Sequence, residues 1–74
     1  MISISRDKIP TETGKKLYDL LVKSWNDTEF IYGTLMLLRG DEQKQKMIDL
    51  IEIDGIDDSD TIILATLDIK DGLI

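Results

Sequence analysis

The residues of this 74-residue chain that are best placed to bind a cation lie in one short stretch, DGIDDSD, at positions 54–60. A helix–loop–helix calcium site needs carboxylates at loop positions 1, 3 and 5, glycine at position 6 and glutamate at position 12. If Gly55 takes position 6, Leu50 falls at position 1 and Thr61 at position 12. The first ligand and the bidentate last ligand are then both missing, so the sequence does not predict a calcium loop.

The same stretch has the residues of a turn between two helices. Gly55 can end a helix in the left-handed conformation, which costs glycine nothing. Asp57, Asp58, Ser59 or Asp60 can cap the next helix and place negative charge at its positive end. We therefore predict a turn with caps. Its charge also makes it a candidate acidic face for binding a partner, formed by Asp54, Asp57, Asp58 and Asp60.

Two pairs of carboxylates have spacings that acid/base or metal chemistry can use, Asp49 with Glu52 and Asp54 with Asp57. The chain has no histidine and no cysteine, which removes the commonest general base, the commonest transition-metal ligand and the thiol nucleophile. No glycine-rich phosphate loop accompanies the pairs. We interpret them as solvated helix surface and predict no catalytic residue, no metal and no cofactor, so that the protein is not an enzyme.

The charge of the chain is unevenly distributed. The net charge is −6, yet residues 1–26 carry five basic and three acidic residues. Residues 49–74 carry eight acids and a single base, Lys70. Nucleic-acid backbones are bound by clustered lysine and arginine, which this sequence lacks, so we predict no direct nucleic-acid binding. A partner chosen by electrostatics would be basic.

The apolar segments are too short for a membrane protein. No uninterrupted apolar run is longer than that of Leu35 to Leu38, whereas a spanning helix needs roughly 20 apolar residues. The N-terminal stretch MISISRDKIP has no basic start followed by an apolar core, so it does not resemble a secretion signal. We expect no membrane association and a cytoplasmic location, which also fits the absence of cysteine.

Capping signals and apolar spacing divide the chain into four helices within one small domain, residues 1–74. Thr11 or Thr13 can cap the first helix, and Asp27 or Thr28 the second. Arg39 and Gly40 are typical of a helix end, and Gly55 of the next. The predicted helices are 13–25, 28–39, 41–53 and 59–70, and the predicted fold class is all-α, a compact bundle of three to four helices.

The last segment also has features of a strand. Its β-branched residues, Thr61, Ile62, Ile63, Thr66 and Ile69, favour a strand, which could pair with MISIS at the N-terminus and make the fold α+β. Its caps and the spacing of Ile62, Ala65 and Ile69 favour a helix. We predict the helix.

The second helix is apolar around nearly its whole circumference, which predicts a central, most buried position. Gly33 in its middle suggests close packing against a neighbour, because glycine costs a helix about 1 kcal/mol relative to alanine. The predicted core consists of Leu17, Leu21, Ile31, Leu35, Leu38, Ile48, Ile51 and Ile63.

Elimination and the acidic second half together predict a protein–protein interaction module, such as a regulator, inhibitor or accessory subunit. Exposed apolar side chains of the third and fourth helices would supply affinity. One alternative is a nucleic-acid mimic, whose acids replace phosphates and block a basic DNA- or RNA-binding cleft. Another is a structural homo-oligomer. The excess of apolar surface for so small a bundle also predicts a homodimer.

Overall fold

The computed structural model describes residues 5–55 and 58–72, and within them it is an all-α bundle, as predicted. A short 3₁₀ turn, Arg6–Lys8, precedes four helices: Glu12–Ser24 (α1), Thr28–Leu37 (α2), Asp41–Asp54 (α3) and Ser59–Gly72 (α4). The alternative strand at 61–69 is wrong, because that segment is α4. Most of its suggested partner strand, residues 1–4, lies outside the described residues.

Side-chain caps fix the starts of α1 and α2. Thr11 Oγ1 accepts a hydrogen bond from the backbone N–H of Gly14 at 3.1 Å and begins α1. Asp27 Oδ1 accepts from the N–H groups of Glu29 and Phe30 at 3.0 and 3.2 Å and begins α2. Each cap satisfies N–H groups that have no partner inside the helix, so these helix starts are set by local sequence.

The connection between α2 and α3 differs from the prediction. Helix α2 ends at Leu37, and Leu38 is already extended, so Arg39 lies beyond the last turn. Gly40 has a φ of 82° and precedes α3 as its N-cap residue, where a side chain would be strained. The carboxamide oxygen of Gln43 accepts from the N–H of Arg39 at 2.7 Å. Gly40 therefore begins α3 rather than ending α2.

The four helices form a ring in which each helix packs on two others. Helix α1 packs most extensively on α3 and also contacts α2, while α4 packs on α3 and α2. The prediction that α2 is central is wrong. Of its apolar residues, Met36 and Leu37 are exposed, because a helix with apolar residues all round does not reveal which side faces its neighbours.

The core lies inside this ring. Most of the predicted core is buried, namely Leu17, Leu21, Ile31, Leu38, Ile48 and Ile51, and the structure adds Ile9, Met47 and Ile62. Leu35 is only half-buried, although it packs against the core. Ile63 is 39% exposed and was wrongly predicted. Helix α4 instead turns Ile62 and Thr66 inward, and Ile63 lies about 100° further round the helix.

Close packing at a glycine occurs in α1 and not in α2. A Cβ atom at Gly14 would lie 2.7 Å from Cγ2 of Ile9, whereas a Cβ at Gly33 would meet nothing within 4 Å. The prediction for Gly33 is therefore wrong. Gly14 lets the segment before α1 lie directly against the helix and bury Ile9.

Candidate functional site

The structure describes three members of the predicted acidic face, Asp54, Asp58 and Asp60, and their carboxylates differ in local environment. Asp58 Oδ1 accepts from the N–H groups of Asp60 and Thr61 at 2.9 and 3.1 Å, so its carboxylate is engaged as the cap of α4. Gly55 ends α3 in the left-handed conformation, with φ 62°, as predicted. Asp54 and Asp60 are exposed at the adjoining helix ends. Asp57 lies outside the described residues.

The two carboxylates of the pair Asp49 and Glu52 each contact a different side chain. Asp49 accepts from the side-chain amide of Gln45 at 2.9 Å. Glu52 forms an ion pair with Lys16 of α1 at 3.1 Å. The pair Asp54–Asp57 includes a residue outside the described part of the chain. Within residues 5–55 and 58–72, no group of three or more acids is placed to hold a metal ion.

The most unusual surface is the outer side of α4, which we call the α4 face; it consists of Asp60, Ile63, Leu64, Leu67, Asp68 and Asp71. Three large aliphatic side chains are exposed here, with exposed fractions of 39% for Ile63, 64% for Leu64 and 37% for Leu67. Residues four apart lie above one another on a helix. Two rows result, Asp60–Leu64–Asp68 and Ile63–Leu67–Asp71, so that acids and aliphatic groups are interleaved.

The acids of the α4 face have no ion-pair partner among the described residues. The ion pairs that the described residues form all involve α1: Arg6 with Asp19, Lys15 with Glu12 and Lys16 with Glu52. The hydrogen bond that Arg6 donates to Asp19, followed by the charge of that carboxylate, raises the pKa of Arg6 above its ordinary value. Ion pairs therefore surround α1, whereas the acids of the α4 face form none with the described residues.

A shallow apolar groove of about 290 Å³ lies between α3 and α4. Its lining consists of Lys46, Asp49, Leu50, Ile53, Asp54 and Ile69. Ile53, on its edge, is 80% exposed, the largest exposed fraction of any large apolar side chain in the described residues. Ile69 and Ala65 form the row of α4 next to Leu64 and Asp68, so the groove adjoins the α4 face.

A second apolar pocket, which the sequence did not predict, is positively charged, in contrast to the acidic α4 face. It encloses about 160 Å³ and is lined by Lys8, Ile9, Pro10, Tyr32, Leu35, Met36 and Lys44; we call it the Lys8–Lys44 pocket. Neither lysine has an ion-pair partner within the described ranges. Three separate segments form the pocket, so no local sequence pattern indicates it.

Comparisons with known proteins identify no relative: no family model, curated protein or solved structure matches this chain. None of the four helices has the length and apolar character required to cross a membrane. Any functional conclusion therefore depends on the surfaces described above.

Proposed function

We propose that this protein is a non-enzymatic interaction module, a regulator, inhibitor or accessory subunit, that binds a basic, amphipathic segment of another protein on its α4 face. The observation that carries the proposal is the interleaving of three exposed aliphatic side chains, Ile63, Leu64 and Leu67, with acids that have no ion pair among the described residues. A surface that served folding alone would gain nothing from exposing these aliphatic groups together.

The two kinds of side chain contribute differently to such binding. Burying apolar area favours binding, and the part of this free energy that exceeds the cost of association appears as affinity. The unpaired acids Asp60, Asp68 and Asp71 speed the approach of a positively charged partner and disfavour acidic ones. The combination suits a helix or extended segment that carries aliphatic residues beside lysine or arginine. Ile53 and the α3–α4 groove extend the apolar area at one side of this surface.

The same interleaving favours this function over nucleic-acid mimicry. A mimic needs a continuous array of carboxylates in place of phosphates, and on α4 the aliphatic side chains of Leu64 and Leu67 interrupt the array. It also argues against a two-fold dimer formed through this face. Two copies meeting there would bring the acids of one copy close to the acids of the other, and like charges in contact are repulsive.

The proposal is tested by capturing partners from the native host with three forms of the protein. The wild type is compared with Leu64→Ser and with Val22→Ser, a matched control on α1 where the valine is 40% exposed. We expect the partner to be retained by the wild type and Val22→Ser and lost with Leu64→Ser. Equal retention by all three forms would contradict the proposed face.

A salt titration of the captured complex separates the alternatives. Screening shortens electrostatic interactions to about 3 Å at 1 M salt, so a contact with an apolar centre should persist there. A nucleic-acid mimic would instead capture nucleic-acid-binding proteins and release them steeply as salt rises. Triple neutralisation of Asp60, Asp68 and Asp71 to asparagine should slow association while leaving most of the apolar contact.

A further inference from the structure

The Lys8–Lys44 pocket has a size that selects its occupant. Its volume of about 160 Å³ is below the roughly 300–1,000 Å³ typical of sites for small-molecule ligands. It is large enough for one aliphatic side chain that enters between Ile9, Tyr32 and Met36. The pocket is therefore better suited to a protruding side chain of a protein than to a cofactor or metabolite.

The two lysines of the pocket favour acidic residues on either side of the aliphatic side chain that enters it. Lys8 is exposed and Lys44 half-buried on its lining. Asp7 and Asp41, which are near them in sequence, do not lie within ion-pair distance of either lysine in the described residues. In a protein of net charge −6, this is an apolar site with a basic rim, and its complement is an aliphatic group flanked by carboxylates.

The α4 face presents such a group. Leu64 is its most exposed aliphatic side chain, and Asp60 and Asp68 lie one turn before and one turn after it. With a rise of about 1.5 Å per residue, each carboxylate is about 6 Å from Leu64 along the helix axis. We propose that Leu64 of one copy enters the Lys8–Lys44 pocket of a second copy, with Asp60 and Asp68 beside the two lysines.

This contact is head-to-tail, because it joins two different surfaces of the chain. A one-way contact of this kind continues into a ring or an open chain, whereas two copies that make it reciprocally close as a two-fold dimer. It deepens the proposed function and rests on it through the shared α4 face. Self-association covers the face, so a basic partner has to displace the second copy, and the free concentration of the protein regulates its own availability.

Sedimentation equilibrium over a wide concentration range tests the contact. The wild-type mass should rise above 8.4 kDa with concentration. The pocket-reversed variant Lys8→Glu/Lys44→Glu and the face-reversed variant Asp60→Lys/Asp68→Lys should each remain at the monomer mass. The control Lys23→Glu/Arg39→Glu has the same charge change as the pocket-reversed variant, lies outside both surfaces, and should associate more than that variant does.

Mixing the two reversed variants provides the decisive measurement. Each alone places like charges together, but an equimolar mixture again pairs opposite charges and should regain the high mass. A wild type that stays monomeric would overturn the proposal, and so would a mixture that stays monomeric. Leu64→Ser keeps every charge and must also lower the mass; circular dichroism verifies that each variant is folded.

The outcome is distinguishable from that of the proposed function. The pocket-reversed variant retains an intact α4 face, so it should still capture the external partner while failing to self-associate. Loss of capture together with normal self-association would refute the basic partner alone. Capture without self-association in the wild type would refute the head-to-tail contact alone.

Discussion

Helices α1 and α4 are nearly equal in length but differ in what their outer sides do. Helix α1 buries Leu17 and Leu21 completely. Four of its five charged side chains, all but Lys23, form ion pairs with residues of α1 itself, of the segment before it and of α3. Helix α4 buries Ile62 and Thr66 and exposes Ile63, Leu64 and Leu67 among acids. Both helices pack on α3, so their difference does not arise from position at the edge of the bundle.

The contrast shows how folding and recognition can be divided within a small domain. The inner and outer sides of α1 are both accounted for by folding, the first through burial and the second through solvation and ion pairing. The outer side of α4 instead leaves apolar surface in contact with solvent, most of all at Leu64, which is 64% exposed. Under the proposed function, a partner covers this surface.

The largest test of this contrast replaces one leucine in each helix with alanine. Leu17→Ala should lower the free energy of unfolding by about 2–5 kcal/mol, because it leaves a cavity in the core. Leu64→Ala should change it by no more than about 0.5 kcal/mol, as is usual for surface positions. Urea denaturation followed by far-UV circular dichroism measures both. Similar losses for the two variants would mean that Leu64 is part of the folded core.

Gly14→Ala tests the close fit of α1. Although alanine normally favours a helix, the new Cβ would meet Ile9 at 2.7 Å, and overpacking of this kind costs typically 1–3 kcal/mol. Gly33→Ala is the matched control, since its Cβ meets nothing, and it should raise stability by up to about 1 kcal/mol. Thermal unfolding of the two variants should give shifts of opposite sign. If Gly14→Ala were stabilised, the side chain of Ile9 would have moved away from the new Cβ at little cost in free energy.

Thr66→Val tests the inner side of α4. The hydroxyl of Thr66 is buried and has no hydrogen-bond partner in the described part of the chain, so valine should raise the free energy of unfolding by about 1–2 kcal/mol. Thr34 is the control because its hydroxyl donates to the carbonyl of Phe30 at 2.9 Å. Thr34→Val should gain less or lose stability. Destabilisation by Thr66→Val would indicate that its hydroxyl has a partner.

The smallest expected effect separates a cap from a free acid on α4. Asp58→Ala removes the acceptor for two N–H groups and should cost about 1 kcal/mol of stability. Asp60→Ala should cost less than about 0.5 kcal/mol, as for an ordinary surface change. Chemical denaturation gives both values, and partner capture should show the reverse order. A larger loss of stability at Asp60 than at Asp58 would contradict the assignment of the cap.

The sequence predicted best those features that depend on neighbouring residues. Asp27, Gly55 and Asp58 act where the capping patterns placed them, because a cap satisfies N–H or C=O groups within about one turn. Predictions that depended on which side of a helix faces the core were wrong for Ile63. Ile62 and Ile63 are both isoleucines on an apolar helix, and only the packing of α4 on α2 and α3 decides which of them is buried.

The candidate surfaces follow the same division. The acidic character of the second half of the chain is evident from composition, and so is the supply of aliphatic residues in the fourth helix. Composition does not distinguish Asp58, which is engaged in a cap, from Asp60 two residues later. It also cannot reveal the Lys8–Lys44 pocket, because its two lysines are far apart in sequence. They line one pocket only in the folded chain, where Lys44 of α3 lies near the segment that precedes α1.

The ring of helices has a consequence for how the chain can be divided. Residues 38–40 connect two hairpins, α1–α2 and α3–α4, and the contacts of α1 with α3 and of α2 with α4 both join one hairpin to the other. Residues 1–39 carry six basic and five acidic side chains, whereas residues 40–74 carry three basic and ten acidic ones. Fragments cut at this connection therefore have opposite net charges and complementary apolar faces. They should reassemble in trans, which would make the protein a compact scaffold for a split reporter.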